Sequence, residues 1–196
     1  MTERLRAAGY QMTLTRSNDT FIPLPDRGHM ANTRKADFFL SIHANANRNA
    51  RVHGVEVYYL VAKSLDQDME RAVRQARQAA LPYDHTALNS SLDTKTIVWD
   101  LLNVEHRRQA VELGRSIAAH VARQTGARNS GVKGARFQVL RDSDMPAVLV
   151  ELGYLTHPTE GVRLADAGHR QRVAAAVSDG ILAYFRDYER TDGFSE

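Results

Sequence analysis

The chain contains no cysteine. Disulfides, thiol catalysis and cysteine-held zinc are therefore excluded, and the absence fits either redox compartment. No apolar stretch approaches the roughly 20 residues needed to cross a bilayer. Charge of one sign is also scarce: the formal net charge is only +3, with basic residues scattered along the chain. A pI near 9.3 permits mild attraction to anionic polymers. A dense basic patch with interleaved aromatics is missing, so nucleic-acid binding is not supported. Ser41 has no G-x-S-x-G setting, and Gly131–Ala135 (GVKGA) lacks P-loop spacing, which argues against a serine hydrolase and a phosphate-cradling loop. Helical pairs of histidine ligands, internal repeats and low-complexity segments are likewise absent.

What is present is an ordinary globular composition, 43% hydrophobic and 25% charged over 196 residues, enough for one α/β domain with a real core. The stretch 37–47, DFFLSIHANAN, organises the rest. Its short apolar run suits a strand at Phe38–Ile42 buried on both faces, ending in His43. A second run, Ala147–Val150, ends in Glu151 in the same manner. Since ligands in open α/β sheets bind beyond the carboxyl ends of strands, the two runs are expected to bring an imidazole and a carboxylate to one rim. His43 reads either as a structural histidine or as a metal ligand. Glu151 reads either as a solvated strand-end charge or, between Val150 and Leu152, as a desolvated base. His53 could approach the same rim, and His157, before Pro158, reads as a turn residue.

Along the chain, Met1–Ala8 reads as the last turns of a helix, stopped by Gly9. No signal peptide is apparent. Strands are expected at Tyr10–Thr15, Gly54–Leu60 (with Val55, Val57 and Tyr59 on one face) and Phe137–Leu140, and a helix at Asp26–Ala36 with Pro25 at its start. A charged helix is expected at Asp66–Leu81, a helical piece at Thr94–Asn103 and a better helix at Glu105–Gln124, with Leu113, Ile117 and Val121 on one stripe. Gly126–Gly134 reads as a loop. Helices at Pro158–Asp166 and His169–Tyr188 close a domain spanning 1–189, followed by a tail at 190–196.

Taken together, Leu14-Thr15-Arg16 with Asp19, Leu24 with Arg27, Ala31-Asn32, Ser41–Asn45, Gly54–Leu60, Gly131–Lys133, Val139–Arg141 and Met145–Tyr154 resemble the catalytic domain of the zinc-dependent N-acetylmuramoyl-L-alanine amidases of type 3. Their order and spacing cover nearly the whole chain. The resemblance implies an α/β fold, a mostly parallel twisted sheet flanked by helices on both faces. It implies one zinc held by two histidines and a glutamate, with a further glutamate activating water for attack on the amide joining N-acetylmuramic acid to the stem peptide. His43 matches the second zinc histidine and Glu151 the catalytic glutamate. Peptidoglycan is the implied partner, and the implied location is periplasmic or extracellular.

Two departures accompany the likeness. The family's first zinc histidine and ligand glutamate fall upstream of the motifs present here, so the chain is expected to be N-terminally truncated, to hold zinc through His43 alone and to be inactive by itself. His157 stands where the family usually has asparagine. The stretch at about 63–104 exceeds a simple strand-to-helix connection. In division-associated members an insertion here blocks the site until an activator protein displaces it, and the alternative is an ordinary outer helix pair. A non-catalytic peptidoglycan-binding or regulatory module, and an unrelated metallohydrolase on the same rim, are the competing readings.

Overall fold

A computed structural model describes residues 1–61 and 90–191. Its sheet has four strands among the described residues: β1 (Phe39–Asn45), β2 (Val55–Leu60), β3 (Asn129–Ala135) and β4 (Ala147–Tyr154), in the order β1-β4-β2-β3. β1 and β4 run parallel, as do β2 and β3, while β2 and β4 are antiparallel. The sheet is mostly parallel, as the sequence predicts. Apolar runs buried on both faces dictate this: β4, between β1 and β2, has Val148 and Val150 facing one way and Leu149 the other.

Helices cover both faces. On one, α1 (Thr2–Ala7), α3 (Ser90–Thr125) and α6 (Ala167–Thr191) pack against Val55, Val57, Val148 and Val150. The predicted stripe of α3 is the one used: Leu113, Ile117 and Val121 are buried against Val173, Val177 and Ile181 of α6. Each such aliphatic side chain contributes about 1.5–3 kcal/mol by leaving water. On the other face α2 (Leu24–Thr33) and the single turn α4 (Gln138–Arg141) cover Phe39, Ala147 and Leu149. A last short helix, α5 (Pro158–Ala165), joins β4 to α6.

Four expectations are corrected. Tyr10–Thr15 is not a strand: its strand-forming residues find no ladder partner among the described residues, and Tyr10 instead stacks on Phe185 of α6. Phe137–Leu140 is a helical turn. Four apolar residues cannot distinguish strand from buried helix by pattern, and Val139 and Leu140 are both buried beneath α2. Gly126–Gly134 contains β3, because pairing with β2 overrides weak local propensity. A one-residue bulge, between the pairs Val55–Asn129 and Val57–Val132, uses Gly131 at φ +85°. Thr94–Asn103 and Glu105–Gln124 form one continuous helix, α3, since no glycine or proline separates them. The predicted helix at Asp66–Leu81 lies outside the described residues.

Candidate functional site

β1 and β4 both continue beyond the chemistry they carry. β1 runs to Asn45 and β4 to Tyr154, so His43 and Glu151 lie within strands rather than beyond their carboxyl ends. The expected rim site is thus a site on the face of the sheet. His43 is the register partner of Glu151 on parallel β1, and Glu56 is its partner on antiparallel β2. Residues paired this way project to the same side. The result is a row, His43–Glu151–Glu56, crossing three adjacent strands.

The three groups are in different states. Glu56, 5% exposed, has both oxygens engaged. Lys133 Nζ lies 2.7 Å from Oε1, while the Tyr58 and Tyr154 hydroxyls donate to Oε2 at 2.5 and 3.0 Å. Burial pulls its pKa upward, but the hydrogen bonds from Lys133, Tyr58 and Tyr154 outweigh that and hold it below the usual carboxylate value. Glu151 is 6% exposed, and its Oε2 has no hydrogen-bond partner. Burial first, and the neighbouring Glu56 anion second, push its pKa up to about 7. The same anion, after burial, pushes the Tyr154 phenol up to about 12. His43 is half-buried with Nε2 3.1 Å from Ser41 Oγ. Its pKa is lowered by burial and then by the charges of Arg27 and Arg16, which keeps the imidazole neutral and its lone pair available.

Local backbone geometry places Tyr154 in this constellation. Strict alternation from Glu151 would send residue 154 to the opposite face. The β1–β4 register slips between the pairs His43–Glu151 and Asn45–Tyr154, inserting one residue into β4, and Gly153 takes φ +144° there. The bulge turns Tyr154 back toward Glu56. Glu160 holds the bend: its carboxylate accepts the Tyr154 N–H at 2.9 Å and the Gly54 N–H at 2.9 and 3.1 Å. His157 is the N-cap of α5, its Nδ1 accepting the Glu160 N–H. An imidazole nitrogen thus does what a side-chain oxygen does at such caps. His53 stands beside it, ring centroids 4.9 Å apart, and bonds through Nδ1 to the Arg51 carbonyl; neither histidine joins the row.

As a zinc site the donor set is partial. His43 fits a ligand and Glu151 fits a base. Glu56 is committed to Lys133 and two tyrosines, and among the described residues no group of three His, Asp or Glu side chains could hold a metal. These residues do not fit a complete tetrahedral site.

Sequence reading brought His43 and Glu151 together but missed the network around Glu56. The signal was there. In Val55-Glu56-Val57-Tyr58 the valines bury one face, so Glu56 and Tyr58 must share the other.

The model of the N-acetylmuramoyl-L-alanine amidase family matches residues 1–183. The N-acetylmuramoyl-L-alanine amidase AmiA of Escherichia coli is 32% identical over 98% of this chain and 67% of its own length. LytC of Bacillus subtilis, an amidase of the same name, is 32% identical over 93% of this chain and 28% of its own. The chain thus spans from about a quarter to two thirds of these relatives. Among solved structures, the amidase AmiC2 of Nostoc punctiforme superposes with a TM-score of 0.66 at 28% identity, covering 94% of this chain and 78% of that one.

Proposed function

The chain belongs to the N-acetylmuramoyl-L-alanine amidase family, and we propose that the complete protein hydrolyses the amide between N-acetylmuramic acid and L-alanine of the peptidoglycan stem peptide. The observation that carries this reading is Glu151: a buried carboxylate with a free oxygen, poised near neutrality, next to His43 on the sheet. A general base works best with a pKa near the working pH. Glu151 takes the proton of the attacking water at its free oxygen and returns it to the departing L-alanine nitrogen. Glu56, pinned by Lys133, stays anionic and keeps the Glu151 proton affinity high. His43 offers a neutral nitrogen that would serve as one zinc ligand. A zinc ion with His43 among its ligands would supply Lewis-acid polarisation of the carbonyl and a more acidic water.

This reading places the protein in the periplasm or outside the cell, where peptidoglycan is. Among the described residues no helix is long and apolar enough to cross a membrane. It also takes an activator protein as partner, acting on the stretch at about 63–104, most of which lies outside the described residues. The test is release of stem peptides from purified peptidoglycan by the complete protein. Glu151→Gln should lower cleavage by on the order of 10²–10⁴-fold, the usual worth of a positioned base. Near-normal release by a folded variant would refute the assignment.

A further inference from the structure

α2 covers the half of the catalytic face nearer the start of β1. Leu24 and Ala31 of this helix pack against the cluster of Phe39, Leu149 and Met145, and Gly28 is buried against the backbone of Asp142. Residues three and four apart share a helix side, so Arg27, between Leu24 and Ala31, lies on the sheet-facing stripe. An apolar residue is the ordinary occupant of that position.

Arg27 is half-buried, with Nε donating to the Ile22 carbonyl at 3.1 Å. Among the described residues no carboxylate comes within ion-pair distance of it. It also sits in the first turns of α2, where the helix dipole disfavours a cation. A half-buried guanidinium without a counterion on this face forms an arrangement that an incoming anion would complete.

We propose that Arg27 forms an anion subsite on the sheet face that carries His43 and Glu151, taking a free carboxylate from the peptide part of the substrate. The proposal rests on the amidase reading above. It gives Arg27 a role in substrate selection: Arg27 fixes the leaving peptide while Glu151 protonates its amine.

The probe is a pair of soluble muramoyl tripeptides, identical except that the second stem residue carries a free α-carboxylate in one and a carboxamide in the other. Binding of each to the purified 196-residue chain is measured by calorimetry. The carboxylate form should bind about tenfold more tightly, a modest charge-assisted hydrogen-bond preference. Arg27→Gln should abolish that preference while circular dichroism and the melting temperature report a folded chain. Arg27→Lys, which keeps the charge but loses the fork, serves where the glutamine variant does not fold and should cut the preference severalfold. Equal affinities in the unaltered chain, or a preference that survives both substitutions, would overturn the subsite and leave the amidase reading standing. Failure of both muramoyl peptides to bind would overturn the subsite, whereas the amidase reading stands or falls on stem-peptide release from peptidoglycan.

Discussion

Glu151→Gln separates chemistry from stability, and its stability effect has a sign opposite to that of a structural residue. In the unfolded chain the carboxyl titrates near its ordinary value of 4.5, and in the fold at about 7. The folded state therefore holds the proton more tightly. Stability from this group is intact below pH 4.5, declines as pH rises from 4.5 to 7, and stays at its reduced value above that. The difference between these two values is worth at most about 3 kcal/mol. Glutamine does not titrate, so the variant lacks this decline. The two curves should diverge between pH 4.5 and 8, with the variant gaining up to about 3 kcal/mol relative to the original chain. Any pH-independent cost of the buried amide cancels in that comparison, as do titrations shared by both proteins. Urea unfolding at half-unit pH intervals, with chelator present throughout, measures it. Parallel curves would show that Glu151 titrates as an ordinary carboxylate, and the account of its environment would be wrong.

The other predictions follow from the same network. Glu56→Gln removes the acceptor of Lys133, Tyr58 and Tyr154 and should cost about 1–3 kcal/mol, the penalty for leaving buried donors poorly paired. Because the folded pKa of Glu56 is depressed, that contribution exists above its unfolded value and is lost as pH falls through the folded one. The loss in the variant should therefore be evident at pH 7 and shrink in acid. The divergence measured for Glu151 should also move to lower pH, and an unmoved divergence would count against coupling. Gly153→Ala places a Cβ 3.1 Å from Glu160 Oε2 at φ +144°, in a region L-residues rarely adopt. It should lower stability by about 1–3 kcal/mol, and an unchanged melting temperature would refute the bulge argument. For residues 1–196 alone, with His43 the one ligand the proposed reading assigns, zinc should be largely lost on dialysis. Stoichiometric retention by metal analysis would mean that further ligands lie within the chain.

How much of this was legible depended on whether neighbours or local pattern decided each element. The strands bearing His43 and Glu151 were readable because Phe38–Ile42 and Ala147–Val150 are apolar on both faces, and only a covered sheet demands that. The stripe Leu113-Ile117-Val121 was readable because a helical period persists over several turns. β3 was not, since Asn129–Ala135 contains two glycines and becomes a strand only by pairing with β2. Phe137–Leu140 failed for the converse reason: a four-residue apolar run fits helix and strand alike, and the helix above it decided. At the site, the identities of His43 and Glu151 were legible but their depth was not. The strands continue two and three residues beyond them, and no local signal in Ala44–Asn45 or Leu152–Tyr154 announces that.

That depth has a mechanistic consequence. A base at a strand end would be hydrated, with a pKa near its ordinary value, and free to move with the following loop. Inside β4, Glu151 has ladder partners on both sides, so its backbone is fixed and its carboxyl is desolvated in the same step. The price is a buried, unpartnered oxygen. The fold limits that cost by keeping the second carboxylate of the row from sharing it. Glu56 is neutralised by Lys133, which is 47% exposed at its side chain and so can lend its charge without full desolvation. Two carboxylates in neighbouring positions thus differ in charge: Glu56 remains an anion because three donors hold it, and Glu151 holds its proton up to near neutrality because burial and then the Glu56 anion disfavour its charge. Exchanging their surroundings, rather than their identities, would exchange their roles.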